Sequence, residues 1–190
     1  MPKNWYSMPF GGFIVCYLLR FVVVIFALCL VPACIPVVEI TSTRTGQKIG
    51  SIEPVMFVVF ESRAGYDKAA ALQRYIYLEL KRKKIQGSAR VIAAADFNEE
   101  ALLEEMAAES NCVVLVLPAG GTTHYGILVN VNYDVRAFEI MGPKKSRSIW
   151  RGRLDNEIGI SDSQHEEFAK VLISKLIKDR ILPRRVAESE

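Results

Sequence analysis

Chemistry-bearing side chains are scarce in this chain. Two histidines and four cysteines stand among 190 residues. Neither His124 nor His165 has a second His or Cys at ligand spacing, so no zinc pattern is present. Gly-x-Ser-x-Gly and His-Glu-x-x-His are both missing. Gly120-Gly121-Thr122-Thr123 lacks the Lys-Ser/Thr of a phosphate loop and leads into a strand pattern, so no helix dipole backs it. It reads as a hairpin loop. Low-complexity tracts and repeats of 20–50 residues are also absent. These gaps exclude the usual signatures of catalysis, and we expect no enzyme activity, no cofactor and no metal.

An excess of one charge is missing as well. The chain holds 24 basic and 21 acidic residues. Setting aside Lys3 and Arg20, which precede the folded part, brings the two counts within one of each other. That removes the electrostatic footprint of a nucleic-acid binder. The one basic block, Lys81-Arg82-Lys83-Lys84, ends a predicted helix, where cations face the negative end of the dipole. Asp96, Glu99 and Glu100 gather where another helix should start, and acids are favoured there for the same reason.

What the chain does have is a leader. Lys3 and Arg20 are the only charges before Glu39, and an unbroken apolar run extends from Phe21 to Val31. That is the length of a signal h-region and well short of the ~20 residues of a spanning helix. Val31-Pro32-Ala33-Cys34 follows and resembles the bacterial lipobox. The resemblance implies that Cys34 is joined to diacylglycerol, that the preceding peptide is removed, and that the new amino terminus is acylated. Ala33 suits the small position before the cysteine; Pro32 departs from the usual Ala, Ser or Thr. A competing reading is an uncleaved helix from Phe13 to Val31. At ~1.5 Å per residue it would cover ~28 Å, with Arg20 to be accommodated. A start at Met8 would give a leader of more ordinary length. Either way the bulk of the chain lies outside the cytoplasm. Cys16 and Cys29 fall in the leader, so Cys112 is the single thiol of the folded part and no internal disulfide is available there. Its setting, Cys112-Val113-Val114-Leu115-Val116-Leu117, predicts a buried, inert thiol.

The remaining length suits one domain. We divide the chain into a signal peptide (1–33), a lipidated tether (34–53) with room for a short edge strand, an α/β domain (54–183) and a tail (184–190). Pro54–Phe60 is a continuous apolar run, as in a strand covered on both faces. A helix over 67–83 places Ala69, Leu72, Ile76 and Leu80 on one stripe. A short strand follows at Arg90–Ala94. Asp96 then caps a helix with Glu99, and Leu102, Leu103 and Met106 pack inward. The strand Asn111–Leu117 is expected to end at Pro118-Ala119-Gly120-Gly121. From Tyr125 to Ile140 the pattern alternates. Ile127, Val129, Val131, Tyr133 and Val135 share one face, and Asn130, Asn132, Asp134 and Arg136 share a wet one. Gly142-Pro143 turns the chain, and Ser148, Trp150, Gly152 and Leu154 alternate on the return strand. The last helix opens at Ser161–Ser163, with Ser163 and Glu166 as a capping box, and Pro183 stops it. The expected order is β-α-β-α-β-β-β-α, a mixed sheet with helices packed on it.

Several of these pieces together resemble a group of bacterial envelope lipoproteins that includes relatives of the curli-secretion lipoprotein CsgG and the TolB amino-terminal domain. They are Asn111–Leu117 before a Gly-rich break, Tyr133-Asp134-Val135-Arg136-Ala137-Phe138-Glu139 on a long strand, Ser148-Ile149-Trp150-Arg151-Gly152 on the return, and a terminal helix closing at Ile181-Leu182-Pro183. The resemblance spans residues 54–183. It implies a periplasmic α/β module at the outer membrane, used in assembly or partner docking, and it brings no catalytic residues. Ile35 after the cysteine, in place of Asp, implies release to the outer membrane under enteric sorting rules. The expected partners are membrane lipid through acylated Cys34 and other envelope proteins or further copies of the chain. The contact surface expected on the domain is the wet strand face at Asn130, Asn132 and Arg136, where a long one-sided strand suits docking.

Overall fold

The computed structural model describes residues 38–46, 49–50, 52–61, 66–93, 98–124, 127–154, 158–159 and 161–184. The leader, Cys34 and the competing Phe13–Val31 span lie outside the described residues, as does most of the tail. Among the described residues no helix is long and apolar enough to cross a membrane.

The strands are β1 (Ile40–Arg44), β2 (Val55–Glu61), β3 (Gly87–Ala93), β4 (Cys112–His124), β5 (Ile127–Gly142), β6 (Lys145–Leu154) and β7 (Ile158–Gly159). The helices are α1 (Tyr66–Arg82), α2 (Glu99–Met106) and α3 (Asp162–Lys178). All seven strands join one sheet in the order β1-β6-β5-β4-β2-β3, with β7 beside β5. β2 runs parallel to β3 and β4, while β4, β5, β6 and β1 are successively antiparallel. The fold is therefore the expected mixed α/β sheet, with β1 and β7 added. β1 falls inside the stretch 34–53 read as a tether with a short edge strand.

The apolar runs of β2 and β4 are covered on both faces because they lie mid-sheet. Val55, Phe57, Val59, Cys112, Val114 and Val116 face one core with α1 and α3. Met56, Val58, Phe60, Val113 and Leu115 face a second core with Leu102, Leu103 and Met106 of α2. The two helical layers follow from strand order. β3 and β4 flank β2 on opposite sides, so crossovers of one hand place α1 and α2 on opposite faces. The predicted α1 stripe is the buried one, with Leu72 and Ile76 fully covered. Each such side chain contributes roughly 1.5–3 kcal/mol.

Four local expectations are corrected. α2 is capped by Asn98, not Asp96: Asn98 is extended, and its Oδ1 accepts the N–H groups of Glu100 (3.1 Å) and Ala101 (3.2 Å). An N-cap needs an acceptor just before the first helical turn, and Asp96 precedes that turn by two residues too many. β4 does not stop at Pro118. It continues to His124 against β5, absorbing Pro118 and the glycines through register irregularities at Pro118/Gly120 and Thr122/Thr123. Gly120–Thr123 is thus strand and not a hairpin loop. On β6, Ser148 is exposed and Ile149 is buried beside Trp150, because a register shift between Ala137 and Phe138 reverses the alternation there. Ser161, not Ser163, occupies the N-cap of α3. Its Oγ donates to Gln164 Oε1 (2.9 Å) and makes no backbone capping bond.

Candidate docking surface

α2 has only 8 residues, and it covers β2, β4 and the Phe138 end of β5. The same face of β5, β6 and β1 has no helix on it among the described residues. Its side chains are polar for that reason: Asp134 and Arg136 on β5, Arg151 and Arg153 on β6, Thr41 and Thr43 on β1. The register sets Arg136 opposite Arg151, and Asp134 opposite Arg153. Two like charges directly across a ladder repel, and Asp134 resolves the conflict. Its Oδ1 accepts from Arg151 Nε (3.0 Å), and its Oδ2 accepts from Arg151 Nη2 (3.0 Å), Arg136 Nη2 (3.0 Å) and Arg136 Nε (3.1 Å). Arg136 Nη1 reaches across to Glu99 Oε2 on α2 (3.0 Å). Burial of Asp134 works against its charge, but the hydrogen bonds from Arg151 and Arg136 outweigh that and hold the carboxyl below its ordinary value. The result is a clamp: one nearly buried carboxylate orients two guanidinium groups on an open sheet face.

The expected contact residues fall on this face. Arg136 is half-buried and committed to Asp134 and Glu99, so it ties α2 to the sheet and is less free than the sequence suggested. Asn130 is half-buried and pairs with Gly159. Asn132 is half-buried, and its Oδ1 is covered with no hydrogen-bond partner. The sequence puts Asp134 on the wet face without marking it as a site residue, reads Glu99 only as helix-start chemistry, and names Arg151 only within the return strand. Alternation alone could have paired the Arg-x-Arg of β6 with the Asp-x-Arg of β5.

Beside the clamp, the start of α2 and the tip of the β5–β6 hairpin enclose a cleft of about 570 Å³. Its floor is Leu103, Phe138 and Ile140, and its rims are Glu99, Glu100 and Glu104 against Lys144 and Lys145. Lys144 Nζ stands 3.6 Å from Glu104 Oε1 across it. A shallower basin of about 220 Å³ lies over Thr41, Thr43, Arg151 and Arg153. The larger cleft offers charged and apolar contacts, and Ser146 and Ser148 also line it. Cys112 is fully buried, and burial followed by the nearby Glu139 charge pushes its thiol up to about 12, which keeps it protonated. His165 is fully buried in α3, with both ring nitrogens unpartnered. His124 is exposed at the end of β4. Among the described residues, no group of three or more His, Cys, Asp or Glu side chains could hold a metal ion.

No family model matches the chain, and no curated protein matches it. Among solved structures it is similar to the PelC dodecamer from Paraburkholderia phytofirmans, at 15% identity and a TM-score of 0.46, over 72% of this chain and 95% of that one. A point variant of the same dodecamer, in a second crystal form, gives 15% identity and a TM-score of 0.45, over 72% and 96%.

Proposed function

We propose that this chain is an outer-membrane lipoprotein of the periplasmic face, anchored through acylated Cys34, whose α/β domain is a docking component of a cell-envelope assembly, transport or secretion system. It belongs on this reading with the CsgG and TolB amino-terminal-domain-like lipoproteins. Its partners are other envelope proteins or further copies of itself, and it carries out no reaction of its own. The anchor rests on the sequence Val31-Pro32-Ala33-Cys34 behind its apolar leader. The observation that carries the docking role is the Asp134 clamp, which spends a nearly buried carboxylate on orienting arginines at an open sheet face. Pre-oriented side chains cost less ordering on binding, which is what a docking surface requires.

Photo-crosslinking in the native envelope tests the role. A crosslinker at Asn132 should capture a discrete envelope protein, and one at Leu78, exposed on α1, should not. Capture should be lost in an Arg153→Glu variant that keeps its unfolding midpoint. Equal capture from both positions would contradict the assignment of this face.

A further inference from the structure

β1 forms one edge of the sheet, and the chain enters it at once: Val38 is already buried, and Ile40 pairs with Leu154. If Cys34 carries the acyl chains, as proposed above and on which this inference rests, only residues 35–37 separate the anchor from Val38. Extended chain spans at most ~3.6 Å per residue, which caps the distance at about 14 Å. A domain of this size has a radius of gyration of about 15 Å, so it cannot swing clear of the bilayer. Val38, where the chain enters β1, is therefore held near the surface.

The β1 edge is basic. Arg44 lies on β1 opposite Trp150, on the sheet face that α3 covers. The end of α3 is drawn to β1 by Asp179, which accepts from Ser42 Oγ (2.7 Å) and Trp150 Nε1 (2.8 Å). Lys178 and Arg180 flank that carboxylate, and Arg184 follows. All four cations are exposed, and among the described residues none of them is in an ion pair. The acids nearby are largely spent: Asp134 on its two arginines and Asp179 partly on Lys175 (3.4 Å). Glu39 is the exposed exception among the described residues. The other basic block, Lys81–Lys84, lies beyond the far side of the sheet order at the end of α1, where Glu79 holds Arg82 and Lys83.

We propose that the β1 edge, with Arg44, Lys178, Arg180 and Arg184, is a membrane-docking surface for anionic phospholipid headgroups. It fixes the orientation of the domain over the bilayer that holds its own acyl chains. Each cation near an anionic surface contributes about five-fold in partitioning. The effect fades beyond a Debye length of ~8 Å at physiological salt, a range that the tether's reach of about 14 Å lets this edge enter. The acyl chains supply attachment, and the cations supply orientation.

The test places a fluorophore at Thr43→Cys on β1 or at Leu78→Cys on α1 of the full lipidated protein. Reconstitution uses phosphatidylethanolamine vesicles with or without phosphatidylglycerol, carrying a headgroup quencher. Cys112 is too buried to take the label. The Thr43 label should be quenched several-fold more than the Leu78 label when phosphatidylglycerol is present. Arg44→Glu with Arg184→Glu should erase the difference, since among the described residues neither side chain is in an ion pair. Equal quenching of the two labels in acylated protein overturns the docking surface. So does absence of quenching with copies cross-linked through Thr43, which would assign this edge to a second copy of the chain. An N-terminal mass on the same preparation separates the claims: an unacylated chain refutes the anchor, whatever the labels report.

Discussion

A β-carbon added at Gly152 would stand 2.2 Å from Trp150 Cη2. The indole therefore lies along the strand over the glycine two residues on, and its Nε1–H reaches Asp179 at the end of α3. Gly152→Ala must displace that ring, and we expect a loss of about 1–3 kcal/mol, read as a lower urea midpoint by tryptophan fluorescence. The alternation of Trp150 and Gly152 was legible in the sequence. Their partner Asp179, 29 residues on, was not, because no local pattern encodes a contact across that distance. His165 stands in the first turn of α3, amid helix-start chemistry, yet it is fully buried. Burial, with Lys68 against Asp162, lowers its pKa. The unfolded chain, at about 6.5, then binds more protons than the folded one as pH falls below that value. Stability should be fully present above ~6.5 and decline toward the lower folded pKa. His165→Leu should remove that slope in unfolding measured across pH 5–7. An unchanged slope would place its origin elsewhere.

Asp134 makes β5, β6 and α2 one unit, because a single carboxylate takes four hydrogen bonds from Arg136 and Arg151 while Arg136 also holds Glu99. Asp134→Asn leaves two guanidinium groups facing each other with no anion between them. A charged hydrogen-bond network of this kind is worth about 1.5–3 kcal/mol, and denaturant unfolding should show a loss in that range. Arg151→Ala, whose side chain is 62% exposed, should lower the unfolding midpoint much less than Asp134→Asn does. The folded pKa of Asp134 lies below its unfolded value near 3.9. Its contribution is therefore present above that pH and is lost as pH falls through the folded value. Glu139, bonded by Gly50 N–H (2.7 Å) and Arg147, and Asp179 shift the same way. The wild type should lose stability below about pH 4, and Asp134→Asn should flatten part of that acid limb. The strands and helices of this region were legible from period and capping chemistry. The length of β4 was not, since proline and paired glycines usually end a strand, and here bulges and a long antiparallel partner override them. The open face is polar as expected but drier than the alternation predicts, with Asp134 buried and Asn130, Asn132 and Arg136 half-buried; which of its charges are free depends on register, which alternation alone does not supply.

For the molecule as a whole, the mixed sheet and its helical layers follow from patterns readable in the chain. The function rests on two unequal supports. The open polar face and the basic β1 edge are structural, and they carry the proposed partner and bilayer contacts. The anchor that brings the domain to the bilayer rests on Cys34 and the residues before it. The most direct test is mass spectrometry of the amino terminus, on protein taken from the membrane fraction of its native host. The account predicts a chain that begins at Cys34 and carries acyl groups. A chain still bearing Met1 or Met8 would contradict it, leaving a single-span protein with Arg20 inside its apolar segment.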